Sequence, residues 1–175
     1  MSAKSAAASR PDKPRFLADA MLGSVARKLR IFGFDTAYLA HTDDDQVLKA
    51  GVEQGRIILT ADKEFFKRIV KHGADGILVD GSDELADLAH ILGKLQITAV
   101  AIELGSRCAS CNGMLEGRTI GQVEVPAAVT RRYREFYQCT ICGKVYWEGG
   151  HMKKLRMFAS ALEKRLNADS RVSKG

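Results

Sequence analysis

Residues 56–62, Arg56-Ile57-Ile58-Leu59-Thr60-Ala61-Asp62, combine an unbroken run of β-branched and aliphatic side chains with an acid just beyond it. Such a run is typical of a strand that is buried on both faces of a parallel sheet. Residues 15–19, Arg15-Phe16-Leu17-Ala18-Asp19, have the same form, since a short apolar run again ends in an acid. The two segments therefore predict two strands of one parallel sheet.

The first hundred residues alternate between strand and helix patterns. The predicted strands lie at 15–19, 35–40, 56–60, 77–79 and 98–104. Helical spacing of apolar residues predicts helices at 22–32 and 44–54 and around 65–70 and 85–95. This alternation predicts an α/β fold, a parallel sheet with helices on both faces. The turn after the first strand has one glycine where a dinucleotide site needs three, so no nucleotide cofactor is expected.

Acidic residues follow the predicted strands. Asp19, Asp62 and Asp80 fall at strand ends, and Asp44 lies in a run of three acids that opens the second helix. Ligands of open α/β sheets bind outside the carboxyl ends of the strands. Carboxylates that converge there repel one another, and bound Mg²⁺ or Mn²⁺ relieves the repulsion. The set Asp19, Asp44, Asp62 and Asp80 therefore predicts a Mg²⁺ or Mn²⁺ site suited to phosphodiester cleavage.

Each acid also has a structural interpretation. Asp44 and Asp62 precede helices, where aspartate is a favoured N-cap. Asp80 precedes Gly81, which is a common turn pair. Asp19 is followed by Ala20, which is weak turn chemistry, so its place at a strand end is harder to explain structurally. The metal-site hypothesis depends on the whole set and not on one member.

All four cysteines fall in two CxxC pairs. Cys108 and Cys111 form the first pair, and Cys139 and Cys142 follow after 27 residues. Four thiolates predict a closed structural Zn²⁺ site, whereas a redox motif needs only one pair. Short ribbon strands are predicted at 121–125 and 135–138. His151 is not expected to be a ligand, because the cysteines complete the tetrahedron.

Positive charge dominates the chain. The net charge is +6, which favours an anionic partner such as nucleic acid. The candidate RNA-binding residues are Arg27, Arg30, Arg131, Arg132, Arg134, Lys153 and Lys154. Arg27 and Arg30 are three apart on the polar side of the first helix, and a solvated face is the alternative interpretation. The aromatic residues among the ribbon cations can stack RNA bases or form the ribbon's own core, and we expect Phe136 and Trp147 mostly to pack.

No apolar run approaches the roughly 20 residues that a membrane helix needs, so no membrane contact is expected. Residues 1–15 lack the hydrophobic region of a secretory signal. We expect a cytoplasmic protein with a disordered N-terminal tail, and a short organelle-targeting segment is the alternative.

These segments together resemble a known family. The matching stretches are 16–23, 26–36, 56–62, 107–113 and 139–151. The chain is similar to the PIN-like RNase domain at the C-terminal end of the Mut-seven exonucleases, which also occurs as a stand-alone protein in archaea and bacteria. The resemblance implies a PIN-like α/β fold, a zinc ribbon and a metal-dependent ribonuclease.

Carried onto this chain, the resemblance implies that the catalytic acids are Asp19, Asp44 and Asp62. Asp43 and Asp45 leave the register of the second acid open by one. The chain departs from the family at Lys28, where Trp is frequent, and at Ala61, where Arg is frequent. The implied organisation is a tail (1–14), a nuclease domain (15–105), a zinc ribbon (106–150), a basic amphipathic helix (151–167) and a second tail (168–175).

Other functions remain open at this point. The chain could be an RNA-binding module, ribosome-associated or part of another ribonucleoprotein, in which the acids are a weak or vestigial site. It could also be a nuclease that acts on DNA, or a toxin-like protein with an inhibitor as its partner. Loss of divalent-metal binding in Asp19→Asn separates the first alternative from a ribonuclease, and competition between RNA and DNA separates the second.

Overall fold

The computed structural model describes residues 13–172, with side chains as far as Asp169. Most of the predicted N-terminal tail, and residues 173–175 of the C-terminal tail, therefore lie outside the described residues. The predicted parallel sheet flanked by helices is confirmed. Its strands are β1 (Phe16–Ala18), β2 (Thr36–Tyr38), β3 (Ile57–Thr60) and β4 (Gly76–Leu78). Its helices are α1 (Gly23–Ile31), α2 (Asp44–Gln54), α3 (Lys63–Lys71) and α4 (Glu84–Lys94), and a 3₁₀ turn (Ala20–Leu22) precedes α1.

The four strands are all parallel and stand in the order β2-β1-β3-β4. The chain moves from β1 outward to β2 and then returns to place β3 on the other side of β1. The direction of winding thus reverses between β1 and β3, which is where open α/β sheets leave a crevice for ligands. The two strand ends are joined there, since the amide of Asp19 donates a hydrogen bond of 3.0 Å to the carbonyl of Leu59.

Alternate side chains of each strand supply two separate cores. Phe16 and Ala18 pack into a core with α1 and α4 on one face of the sheet. Leu17 and Ile58 pack with α2 and α3 on the other face. Helix α2 lies especially close to the sheet at Gly51, where an added Cβ would stand 2.5 Å from the side chain of Ile58.

The C-terminal part forms a second, antiparallel sheet in the order β5-β6-β7. Its strands are β5 (Leu115–Arg118), β6 (Phe136–Cys139) and β7 (Val145–Tyr146), and a short helix α5 (Ala127–Thr130) lies between the first two. Helix α6 (Met152–Val172) follows and packs against α4. Ala159, Leu162 and Leu166 of α6 belong to the same core as the sheet. No helix within residues 13–172 is long and apolar enough to cross a membrane.

The structure corrects three predicted elements. Residues 98–104 are not a strand, because their amides bond elsewhere: Val100 donates to the Glu163 carboxylate (3.1 Å) and Glu103 to the carbonyl of Ile31 (3.0 Å). The predicted ribbon strand at 121–125 is also wrong, since β6 pairs instead with Leu115–Arg118. Helix α6 extends to Val172 and so occupies part of the predicted C-terminal tail.

Candidate functional site

Asp19 stands at the end of β1 and is held by two hydrogen bonds. Only 8% of the residue is exposed. Its Oδ1 accepts from the amide of Ala20 at 2.6 Å, and its Oδ2 accepts from the hydroxyl of Thr60 at 3.0 Å. Because neutral donors hold both oxygens, the carboxylate has one fixed orientation. Within the described residues, Asp19 has no salt bridge with a cation.

Thr60, the last residue of β3, links two of the predicted acids. The residue is fully buried. Its hydroxyl donates to Asp19 and accepts from the amide of Asp62, both at 3.0 Å. The sequence prediction did not include Thr60 as a site residue. Its position at the end of a buried strand, two residues before an acid, is the signal that could have found it.

Asp62 caps helix α3, as the structural interpretation expected. Its Oδ1 accepts from the amides of Glu64 (2.7 Å) and Phe65 (2.8 Å). The residue is exposed, and its Oδ2 accepts no hydrogen bond from residues 13–169. Capping therefore occupies one carboxylate oxygen and leaves the other directed to solvent or to a ligand.

The three acids at the start of α2 make different contacts. Asp43 is the N-cap and accepts from the amide of Gln46 at 2.9 Å. Asp45 is almost fully exposed and pairs with Arg68. Asp44 also pairs with Arg68, at 3.0 Å.

Asp44 interacts electrostatically with Asp19 and Asp62, the acids that follow β1 and β3. Burial raises the pKa of Asp44, and the charges of Asp19, Asp62 and Asp45 raise it further, although the guanidinium of Arg68 opposes them. We define Asp19, Asp44 and Asp62 as the acidic edge. Its members are close enough for their charges to interact, and carboxylate oxygens are the ligands that Mg²⁺ and Mn²⁺ prefer.

Asp80 has a different setting. It is exposed and accepts from the hydroxyl of Ser82. The amides of Asp80 and Gly81 both donate to the carboxylate of Asp87 at 3.2 Å, so Asp87 holds this turn in place. Asp87 is buried on α4 and was not predicted. A role for Asp80 in metal binding stays a prediction, because the turn accounts for its position.

The four cysteines form a cluster. Their Sγ atoms all lie within 4.8 Å of one another, and among the described residues no other group of three or more such side chains does so. The Sγ atoms of Cys108 and Cys142 are 3.6 Å apart, and those of Cys111 and Cys139 are 3.4 Å apart. Thiolates around a tetrahedral Zn²⁺, with Zn–S about 2.3 Å, stand about 3.8 Å apart. The cluster thus fits a structural Zn²⁺, and His151 is not part of it.

Neighbouring groups shift the pKa values of the cysteine thiols. Burial opposes ionisation of Cys108, but the Tyr146 hydroxyl at 3.1 Å and backbone amides of the knuckle lower its pKa to about 6. Burial and the adjacent cysteines raise the pKa of Cys111 to about 12. One thiolate therefore forms readily and hinders the next, and a divalent cation removes that hindrance.

The first cysteine knuckle is fastened to the parallel sheet. Asn112, which has a left-handed φ of 71°, donates from its amide to Asp35 at 2.8 Å and accepts from the amide of Thr36 at 3.0 Å. Asp35 also binds Arg56 at 2.7 Å. Hydrogen bonds from Arg56 and Asn112 outweigh the effect of burial and lower the pKa of Asp35. The ribbon is therefore docked through a charged, hydrogen-bonded contact with the start of β2.

Arg30, predicted as an RNA contact on the polar side of the first helix, does not lie on an exposed face, so the alternative of a solvated face is wrong as well. Only 5% of the residue is exposed, because it follows the buried positions Ala26 and Leu29 of α1. Its guanidinium donates to the carbonyls of Thr36 (2.8 Å), Ala109 (3.3 Å) and Ser110 (2.9 Å). Arg30 is a docking residue for the ribbon, and we exclude it from the candidate RNA contacts.

The remaining candidate RNA contacts are exposed. They are Arg27 on α1, Arg131, Arg132 and Arg134 after α5, and Lys153 and Lys154 on α6. None of these side chains has an ion pair or hydrogen bond within residues 13–169. Their charges are thus available to an anionic partner, and their contact with RNA stays a prediction.

A parallel sheet with carboxylates at its switch point and a ribbon with four clustered cysteines define a two-part α/β protein whose ribbon has a set of metal ligands. The chain belongs to the Mut7-C RNase domain family, whose model matches residues 14–159. This family places it among nuclease-type proteins. A human protein described as an exonuclease mut-7 homolog is 33% identical over 101 residues, which are 56% of this chain and 12% of that protein. The chain thus spans a small part of that relative, and no solved structure matches it.

Proposed function

We propose that the chain is a metal-dependent, PIN-like ribonuclease that hydrolyses RNA phosphodiester bonds at the acidic edge. The observation that carries the proposal is that Thr60 joins the carboxylate of Asp19 to the amide of Asp62 at the switch point of the sheet, while Asp44 stands close enough for its charge to interact with both acids. Membership of the Mut7-C RNase domain family supports the same reaction class.

The residues of the acidic edge would hold Mg²⁺ or Mn²⁺. Such an ion supplies an activated water and offsets the charge that develops on the leaving oxygen. Thr60 and the amide of Ala20 fix the carboxylate of Asp19, so that its oxygens need little reorganisation. Asp62 offers the oxygen that its capping role leaves unused. Arg68 holds Asp44 at the edge through its 3.0 Å contact.

Arg68 could replace a cation that this chain lacks relative to the family pattern. Ala61 stands where the family often has an arginine, so one phosphate-binding cation is missing. Arg68 brings another guanidinium to the same edge from α3, where it pairs with Asp44 and Asp45. Arginine suits bidentate contact with phosphate, so Arg68 is a candidate to contact the substrate when the acids bind metal.

The ribbon would act as a rigid support for RNA binding. A structural Zn²⁺ at the four cysteines would order a module with a small core of its own, which consists chiefly of Cys108, Leu115 and Cys139. Exposed arginines after α5 and lysines on α6 would then contact the phosphate backbone.

An RNA-binding module without catalysis is the second candidate. It is favoured by the capping role of Asp62 and by the absence of a closed carboxylate cluster within residues 13–169. Partners of such a module would be a ribonucleoprotein particle or, for a toxin-like protein, an inhibitor.

The decisive experiment is cleavage of single-stranded and structured RNA by the wild type, Asp19→Asn and Asp75→Asn. Asp75 is an exposed acid just before β4, at the opposite end of the sheet, and is the matched control. Reactions contain Mn²⁺, no added metal, or EDTA, and zinc content is measured in each protein. A ribonuclease requires Mn²⁺ or Mg²⁺, fails in Asp19→Asn and persists in Asp75→Asn. RNA binding without such cleavage would establish the second candidate instead.

A further inference from the structure

A cavity of about 430 Å³ lies where α1, the ribbon and the start of α6 meet. We call it the junction pocket. Its walls include the aromatic residues Tyr146 and Trp147 of the ribbon and the apolar residues Met152 and Leu155 of α6. Arg27 of α1 also lines it. The volume is within the range of roughly 300–1,000 Å³ of small-molecule sites, and a mainly apolar wall with a few polar groups is typical of them.

Glu103 and Arg107 also line the pocket, but Glu103 pairs with Lys13 and Arg107 with Asp35. The aromatic wall and Arg27 therefore favour a flat aromatic ligand with an anionic attachment. Trp147 is the only tryptophan of the chain and is half-buried, with its ring edge-to-face against Phe136 at 6.4 Å. Gly149 lies directly beside the indole, since a Cβ there would be 2.8 Å from Nε1. The indole is thereby fixed in place, and a fixed aromatic ring is a stacking platform for a nucleobase.

Arg27 connects the junction pocket with a second cavity. That groove, of about 460 Å³, is lined by Arg27, Gly23, Tyr38 and Lys144 among others. Tyr38 donates from its hydroxyl to the carbonyl of Ala20 at 2.8 Å, next to Asp19. The groove therefore lies between the backbone next to Asp19 and the junction pocket, and the guanidinium of Arg27, which lines both cavities, has no ion pair within residues 13–169.

We propose that the junction pocket binds one unpaired nucleobase of the RNA substrate, which stacks on Trp147 while Arg27 contacts its phosphate. This proposal rests on the proposed function for the identity of the polymer. It names the substrate class as RNA with a single-stranded segment, because a base inside a duplex is stacked and paired and does not enter a pocket. Nucleotides that enter the pocket would place neighbouring phosphates in the groove that leads to the acidic edge.

Binding can be measured apart from catalysis. The zinc-loaded protein, without Mg²⁺ or Mn²⁺, is titrated with AMP, UMP and ribose 5-phosphate while the fluorescence of Trp147 is recorded with excitation that avoids nucleotide absorption. Ribose 5-phosphate is the matched ligand control, since it has the sugar and phosphate but no base. We expect saturable quenching by the nucleotides and at least about tenfold weaker binding of ribose 5-phosphate, because base stacking supplies much of the affinity.

Two variants locate the site. Arg27→Gln weakens nucleotide binding, whereas Arg165→Gln, at an exposed arginine of α6 outside both cavities, leaves it unchanged. Equal binding of ribose 5-phosphate, no saturable quenching by either nucleotide, or quenching unaffected by Arg27→Gln would overturn the proposal.

Cleavage then separates this inference from the proposed function. A short single-stranded RNA is made with one abasic nucleotide at successive positions. If the pocket binds a base, one position at a fixed distance from the cut reduces cleavage. Uniform cleavage of all the abasic substrates overturns the pocket while it leaves the ribonuclease intact. Nucleotide binding at Trp147 without any cleavage supports the pocket and contradicts the ribonuclease.

Discussion

The guanidinium of Arg30 donates a hydrogen bond of 2.9 Å to the carbonyl oxygen of Ser110, and so joins α1 to the first cysteine knuckle. The same side chain bonds Thr36 of β2 and Ala109. Burial lowers the pKa of Arg30, while the neighbouring cysteines favour its charged form. One buried cation therefore contacts both the parallel sheet and the first cysteine knuckle.

Replacement of Arg30 should destabilise the contact between ribbon and sheet. Arg30→Ala leaves buried carbonyls without donors, so we expect a loss of about 1–3 kcal/mol in the free energy of unfolding. Arg27→Ala, on the exposed side of the same helix, should change it by no more than about 0.5 kcal/mol. Urea unfolding measures both, and equal values for the two variants would contradict the docking role.

Loss of the Thr60 hydroxyl should reduce both the activity and the stability of the protein. Thr60→Val keeps the shape of the side chain but removes the donor to Asp19 and the acceptor for the Asp62 amide. Groups that orient metal ligands typically contribute about 10- to 100-fold to metal affinity or activity. We expect a loss of that size in cleavage rate or in Mn²⁺ affinity, with a cost in stability of about 1–3 kcal/mol.

The dependence of RNA cleavage on Mn²⁺ concentration, compared with urea unfolding of the same variant, tests this expectation. Unchanged cleavage and Mn²⁺ dependence in a folded Thr60→Val protein would show that the orientation of Asp19 does not matter for the reaction.

Loss of zinc should unfold the ribbon before the sheet. Cys139→Ser removes one of four ligands from a module whose core is small. We expect the variant to lose bound zinc, and the amides of β5 to β7 to exchange with solvent much faster than those of β1 and β3. Zinc analysis with hydrogen-exchange mass spectrometry checks both points. Full protection of the ribbon strands without zinc would show that the cysteines are not a structural metal site.

Helix α6 should contribute to the stability of the parallel sheet. Leu162 is fully buried in the core that includes Phe16 and Leu88. Leu162→Ala should therefore cost about 2–5 kcal/mol in the free energy of unfolding. Met157, which is 64% exposed on the same helix, is the control, and Met157→Ala should have little effect. Similar effects of the two substitutions would mean that α6 packs only loosely.

Much of the sheet follows from local sequence. The aliphatic run at residues 57–60 indicated a buried strand. The pattern at 44–54 predicted the bounds of α2 correctly, because Asp43 caps the helix and Gly55, with a left-handed φ, ends it. Residues 98–104 have equally apolar side chains, and Val100 is indeed buried. Their amides bond to α6 and to the end of α1, however, and no local pattern reveals which partner an extended segment will choose.

The candidate site could be predicted only in part. The cysteine spacing indicated the cluster that the structure forms. The acids could be placed at strand ends, but Thr60, Arg68 and Asp87 act through contacts between distant segments. Arg30 was misassigned because a charged residue on a helix usually faces solvent. Its spacing of four from the buried Ala26 was the available warning.

The return of α6 to the parallel sheet has a consequence for the order of folding. The cysteines at residues 108–142 emerge from the ribosome before Leu162 and Leu166 do. The four cysteines are therefore available to a metal ion while the core beside α4 is still uncovered, and exposed apolar surface of this kind makes a folding chain prone to aggregate. During synthesis the ribbon would therefore form first, and the sheet domain would close last, once α6 has emerged.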